Sequence, residues 1–459
     1  MIQRNISTYL ESFYKTSKKA LLLTGARQIG KTFAIREFGK KFKSFVEINF
    51  VENQEFADAI RNANGREDIL FRISTATKKP LFKGETLIFF DEVQVCPEIV
   101  TAIKFLVDDG SYKYIMSGSL LGVELTDLRS EPVGYMSVKE MFPLDFEEFI
   151  RAIGIGDKVI EHLQLSWDNR TPVDSFIHQK MMELFRLYLV VGGMPEAVKK
   201  YLETNNLQEV MAAQRDIITL YKRDITKYDF KDKLQINHIY DLIPPELNEK
   251  NKRFILKSLN ENAKYDRYHN GFLWLKNAGV AIPVYNVEEP KMPLKLSMSR
   301  NLLKLFLSDI GLLAAQYANG IQLRIINGDK DINFGSVYEN AVAQELIAHS
   351  FEPFYYNNKK RGEIDFVIEY HGRILPIEVK SGKDYEVHRA LSNIMDCPEY
   401  DLQEAIVFCN DNLKVVGKLT YAPVYMTMCL KKNDYAPTFY KVDISMVREP
   451  EITYGKKED

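Results

Sequence analysis

Gly25-Ala26-Arg27-Gln28-Ile29-Gly30-Lys31-Thr32 follows an apolar run, Ala20 to Leu23, and leads into a helical pattern. This strand, glycine-rich loop and helix order lets backbone amides converge on phosphate oxygens at a helix N-terminus. Lys31 is placed to reach the β/γ-phosphates, and Thr32 to ligate Mg²⁺. A second acidic element follows, where the continuous apolar strand Leu87 to Phe90 delivers Asp91 and Glu92 at its C-terminal end. Asp91 is expected in the Mg²⁺ shell, and Glu92 is placed to orient or deprotonate an attacking water. Ser117 and Ser119 close a further strand read at 112–118; they either touch the γ-phosphate or make only a serine-glycine turn. The chain has no guanine-reading Asn/Thr-Lys-x-Asp tetrapeptide, so ATP is the expected nucleotide.

A second concentration of chemistry lies at 362–380, GEIDFVIEYHGRILPIEVK. Ile364, Phe366, Ile368 and Tyr370 alternate, His371-Gly372 supplies a turn, and Ile377 and Val379 resume the alternation, which predicts a β-hairpin. With a two-residue loop Tyr370 faces Arg373, and counting outward sets Asp365 opposite Glu378 and Glu363 opposite Lys380. Facing carboxylates repel, so the pair calls for a cation or a proton, and the spacing suits a divalent metal. The alternative is a solvated sheet face on which Lys380 neutralises its neighbours. Pro376 cannot donate to a ladder, so an irregular returning strand is also expected.

The elements that must position these groups are ordinary globular material. The 459 residues are 46% hydrophobic and 27% charged, with a net charge of −2, which gives no global attraction for nucleic acid. Length predicts about three domains. No signal peptide and no apolar run long enough to span a bilayer is read, and Cys96, Cys397, Cys409 and Cys429 show no zinc spacing, so a reducing cytoplasm is expected. Strands at 44–50 and 112–118 with helices between give the first segment a βα alternation. From about 150 to 225 the pattern is helical, with Gly192-Gly193 and Pro195 as breakers. Arg223 there is a candidate phosphate contact or a solvated helix arginine. At 335–350, Val342, Ala343, Leu346 and Ile347 form an apolar stripe that Glu339 continues; Glu339 is either buried with a partner or reaches solvent in the first turn.

The order of the P-loop, FFDEV (89–93), IMSGS (115–119), MFPLDFEEFI (141–150) and YLVVGGMPEAV (188–198) resembles bacterial and archaeal AAA-type ATPases. Those ATPases carry a C-terminal domain of formally unknown function with a nuclease-like fold. Relatives often have Gly-Arg before the Pro-Leu segment, whereas here Gly134 precedes Tyr135. The resemblance therefore implies a different arginine finger, such as Arg129 or Arg151, or slow hydrolysis. Residues 231 to about 315 resemble a winged helix, whose basic run 248–253 would contact phosphates. Glu339, Asp365 and Glu378-x-Lys380 resemble the PD-(D/E)xK nuclease core. That resemblance implies Asp365 and Glu378 on Mg²⁺, Glu339 supporting the metal, and Lys380 positioning water, with basic residues at 357–363 on the nucleic-acid backbone.

The expected fold is a multidomain α/β chain. It comprises a P-loop AAA-type ATPase core (1–150), a helical subdomain (151–230), a winged-helix-like region (231–315), a PD-(D/E)xK-like α/β domain (320–445) and a polar tail (446–459). The expected function is ATP hydrolysis coupled to a metal-binding, nuclease-like domain acting on DNA or another nucleic acid. The alternative is a nucleotide-dependent switch or scaffold that engages a protein partner; a homo-oligomer is a further candidate assembly, and no membrane association is expected.

Overall fold

Strands β1 (Ala20–Thr24), β2 (Ser44–Asn49), β3 (Thr86–Asp91), β4 (Lys113–Ser117) and β5 (Met136–Glu140) form a parallel sheet in the order β2-β3-β4-β1-β5. In this computed structural model the described residues are 2–432, apart from 78, 119–133, 226–229, 250–251, 260, 262–264, 330–331 and 333, together with 440–442. Ser119, Arg129 and the tail 446–459 lie outside them. β1, β3 and β4 are buried on both faces, as a parallel sheet covered by helices requires, so their C-terminal ends are held side by side.

The helical stretch consists of Asp157–Asp168, Ser175–Val191, Pro195–Thr204 and Leu207–Ile225. Gly192-Gly193 breaks it for a packing reason. A Cβ on Gly193 would lie 2.0 Å from the Leu144 carbonyl oxygen, and the Gly193 amide donates to Asp309 at 2.6 Å. Gly192 has φ +70.

A second, mixed sheet has eight strands: β6 (Ala281–Val287), β7 (Met298–Leu307), β8 (Phe354–Asn358), β9 (Gly362–Tyr370), β10 (Arg373–Val379), β11 (Ala405–Cys409), β12 (Lys414–Val416) and β13 (Leu419–Pro423). Their order is β12-β13-β11-β10-β9-β8-β6-β7. The two strands of the winged-helix-like region, β6 and β7, extend the C-terminal sheet, because β6 pairs in parallel with β8.

The β9–β10 hairpin keeps the register read from the sequence, from Arg373 opposite Tyr370 to Ile377 opposite Phe366. His371 (φ 49) and Gly372 (φ 71) both take the left-handed conformation that a tight two-residue turn needs. Pro376 sits opposite Val367 without a register shift; pairing with β11 begins beyond it, at Ile377. The expected irregularity does not occur there.

The helix Phe334–Ala348 is not amphipathic in the expected sense, since Ser336 to Leu346 are all buried. Its polar residues find partners inside the protein, apart from Glu345 Oε2, which is buried without a hydrogen bond. Asn340 pairs with the backbone of Leu307, Gln344 accepts from the Ile310 amide, and Glu345 accepts from the Phe146 amide. One apolar core runs from Ile6 to Leu430 and includes Leu23 and Phe89 of the first sheet and Phe366, Ile377 and Phe408 of the second.

Candidate functional site

The P-loop joins β1 to the helix Lys31–Gly39, with Gly25 (φ 131), Gln28 (φ 63) and Gly30 (φ 93) in conformations that tighten the turn. A Cβ on Gly25 would lie 2.2 Å from the Met141 carbonyl oxygen. Lys31 Nζ donates to the carbonyls of Gly25 (2.9 Å) and Ala26 (2.7 Å), and burial pulls its pKa down to about 8. A phosphate would restore the charge that burial disfavours.

Asp91 closes β3 as expected. Thr32 Oγ1 donates to it at 3.2 Å, the Ser117 hydroxyl donates to its other oxygen, and burial raises its pKa. Glu92 (φ 56) follows in a left-handed turn and accepts from the Gln94 amide. Lys31, Thr32, Asp91, Glu92 and Ser117 line one cavity of about 820 Å³, together with Arg27, Gln28 and Gly30. Ala26 and Ile29 are buried beneath the loop. The apolar side of the cavity includes Phe33 and Leu202, 50% and 39% exposed. Paired Thr32 and Asp91 oxygens at the mouth of a phosphate loop fit Mg²⁺, a hard cation that takes oxygen ligands.

Sequence reasoning missed Arg4. It lines the same cavity, donates to the carbonyls of Ile29 (2.9 Å) and Phe142 (2.6 Å), and pairs with Glu148 at 3.0 Å. Glu148 closes a capping box with Asp145; burial and the Asp145 charge push its pKa up to about 7. Asp145 lies 3.6 Å from His349, which lies 3.8 Å from Glu345. Burial pushes Glu345 up to about 8, the Asp145 charge adding to it. No local motif announces Arg4; its partners lie far along the chain. Arg151, a candidate finger, pairs with Glu147 and Asp157. Arg27 pairs with Asp224 at 2.7 Å, and the Tyr221 hydroxyl donates to its carbonyl, which braces the loop from the helix Leu207–Ile225.

In the C-terminal cluster, the β9–β10 pairing ends at Ile377 opposite Phe366, and Asp365 and Glu378 follow directly on the two strands. Asp365 Oδ2 accepts from the Val379 amide at 2.9 Å, and Lys380 Nζ lies 2.7 Å from Glu378 Oε1. The unforeseen member is Lys304 of β7. Its Nζ lies 3.0 Å from Glu363, 3.4 Å from Glu339 and 3.6 Å from Asp365, and its side chain is 1% exposed, like that of Glu339. Lys252 also pairs with Glu339, and Arg253 with Glu363 at 3.0 Å.

Burial raises Glu339, and the Asp365 charge adds to this. Burial alone would raise Asp365, but the Lys304 and Lys252 ammoniums hold it below its ordinary value. Burial pushes Glu378 up to about 8, with the Asp365 charge contributing. Glu339, Asp365, Glu378 and Lys380 are thus brought together. Their oxygens do not fit a divalent ion as they stand, because ammonium groups fill the space between them. Among the described residues no group of three or more His, Cys, Asp and Glu side chains is arranged to hold a metal.

Residues 17–150 match the family AAA_14, described as an AAA domain. Residues 182–323 and 334–424 match two domains of unknown function, DUF8612 and DUF4143. The N-terminal segment is thus a P-loop ATPase domain of the AAA type. No curated protein matches the chain. Among solved structures it is similar to the Walker-type ATPase PABY2304 of Pyrococcus abyssi, at 13% identity and a TM-score of 0.41, covering 69% of this chain and 96% of that one. It is also similar to the Orc1 protein of Aeropyrum pernix, solved in complex with DNA, at 12% identity and a TM-score of 0.27, covering 71% and 91%. Among the described residues no helix is long and apolar enough to cross a membrane.

Proposed function

We propose that this chain binds and hydrolyses ATP with Mg²⁺ at the P-loop and passes nucleotide state to its C-terminal α/β region, which engages a macromolecular partner. The observation that carries the coupling is Arg4, whose guanidinium ties the Ile29 carbonyl of the P-loop to Glu148. From there Asp145 leads to His349, just past the helix Phe334–Ala348, and so to Glu345 on it. A loop that tightens around phosphates carries Ile29 with it, so the buried chain of charges must rearrange or resist.

At the site, Thr32 and Asp91 would hold Mg²⁺, which when bound neutralises phosphate charge. Lys31 leaves its two carbonyls for the β/γ-phosphates, Ser117 fixes Asp91, and Glu92 aligns the attacking water and accepts its proton. The test is hydrogen exchange of residues 334–348 with and without ATP, run beside turnover of Lys31→Ala and Glu92→Gln. ATP binding that leaves exchange in that helix unchanged would sink the coupling; undiminished turnover in Glu92→Gln would sink the assignment of Glu92.

A second reading, cleavage of nucleic acid by Asp365, Glu378 and Lys380, is favoured by the hairpin that brings the acids together, since the Val379 amide donates to Asp365 and the Asp365 charge acts on Glu378. Lys359, Lys360 and Arg361 would then hold the phosphate backbone. It requires that Lys304 give way to a divalent metal at the cluster, and predicts plasmid cleavage that Lys380→Ala abolishes. For either reading the proposed setting is cytoplasmic. The partner is a nucleic acid, another protein or a second copy supplying the arginine finger.

A further inference from the structure

We propose that Lys304 is a resident cation at the centre of the C-terminal acid cluster, filling the position a divalent metal would need and closing the cluster to metal. Three carboxylates from two different elements, Glu339 on the helix and Glu363 and Asp365 on β9, converge on one nitrogen within 3.0–3.6 Å. Oxygens gathered around a point in this way are what a hard cation collects, but the point is held by an ammonium. The ammonium is tethered to β7, a strand hydrogen-bonded into the same sheet, and it cannot diffuse away.

Charge counting agrees. Glu339, Glu363, Asp365 and Glu378 carry four negative charges in their ionised forms; Lys304, Lys252, Arg253 and Lys380 carry four positive ones. The cluster thus has no net negative charge, and burial, which pushes Glu378 up to about 8, only lowers the negative count, so nothing offsets the cost of desolvating a divalent ion. Donor oxygens are also taken. Asp365 Oδ2 holds the Val379 amide and its Oδ1 faces Lys304, while Glu378 Oε1 holds Lys380. Glu378 Oε2 is the cluster oxygen left buried and unpartnered, and one oxygen cannot hold a metal.

The inference concerns the cluster alone and does not depend on ATP hydrolysis. Its test is direct Mn²⁺ binding to the full chain without nucleotide, followed by electron paramagnetic resonance. Variants are Asp365→Asn, Lys304→Ala and the double variant, with folding checked by circular dichroism. In the parent, Mn²⁺ binding should be the same as in Asp365→Asn, since the cluster contributes no site. Lys304→Ala should gain about tenfold or more in affinity, and Asp365→Asn should remove the gain. A parent site that Asp365→Asn abolishes would overturn the proposal, as would a folded Lys304→Ala that binds no additional Mn²⁺. If Lys304→Ala does not fold, the comparison of the parent with Asp365→Asn still decides.

Discussion

The P-loop cavity and the C-terminal cluster use the same ingredients, carboxylates with a lysine, to opposite ends. At the P-loop, Lys31 rests on two backbone carbonyls and Asp91 and Glu92 face a cavity of about 820 Å³, so charge is held ready for a ligand. In the cluster, Lys304 is already spent on three acids and buried to 1% exposure. The difference lies in where the lysine is anchored. One on the loop it serves can turn toward a ligand; one that reaches in from β7, separated from β9 by β8 and β6, serves as a structural counter-ion. Residue types at the right spacing therefore identify a potential site, and the long-range cation decides whether it is open.

The comparison can be broken most forcefully at the P-loop. Glu92→Gln should lower ATP turnover by about 10²–10⁴-fold while leaving nucleotide binding intact, read by steady-state hydrolysis beside nucleotide titration. Next, Lys304→Ala should cost about 3–5 kcal/mol of stability in denaturant titration, because it strands buried carboxylates without their partner. Lys31→Ala in the nucleotide-free protein should cost far less, since Lys31 gains its main partner only with phosphate.

A third test uses pH. Glu345 is pushed from 4.5 up to about 8 by burial, among Asp145, His349, Lys431 and Tyr188. The folded state then binds the proton more tightly than the unfolded one. Its contribution is fully present below pH about 4.5 and is lost as pH rises to about 8. Glu345→Gln should flatten that decline by roughly 1–3 kcal/mol, read from melts across the same window. Smallest of all, Lys43→Ala should change stability by about 0–1 kcal/mol, because Lys43 and Glu85 are 54% and 56% exposed and screened by water.

Legibility followed distance along the chain. The P-loop, the strand ending at Asp91 and the hairpin register could be read because each is set by neighbours within a few residues. The turn at His371-Gly372 alone fixes the pairing from Arg373–Tyr370 to Ile377–Phe366. Lys304 was invisible for the opposite reason: within the run Leu302 to Leu307 it reads as one polar residue in an apolar strand, and nothing nearby says that Glu339 and Asp365 will meet it. The same holds for β6 and β7, whose spacing suits a wing, yet whose pairing with β8 arises only from the tertiary fold. In the helix Phe334–Ala348 the sequence shows an apolar stripe but gives no place to the polar residues Asn340, Gln344 and Glu345. They are paired inside with Leu307, Ile310 and Phe146, which no helical periodicity can foretell.

The apolar core that runs from Ile6 to Leu430 bears on how this architecture can be taken apart. Although three family matches divide the chain, their faces are shared, so the ATPase segment is not an exchangeable cassette. Excised alone, it would carry Leu144, Phe146 and Phe149 as a bare greasy surface. Unfolding of the sheet that carries the nucleotide loop should accordingly be coupled to that of the sheet that carries the distant hairpin, through the core they share.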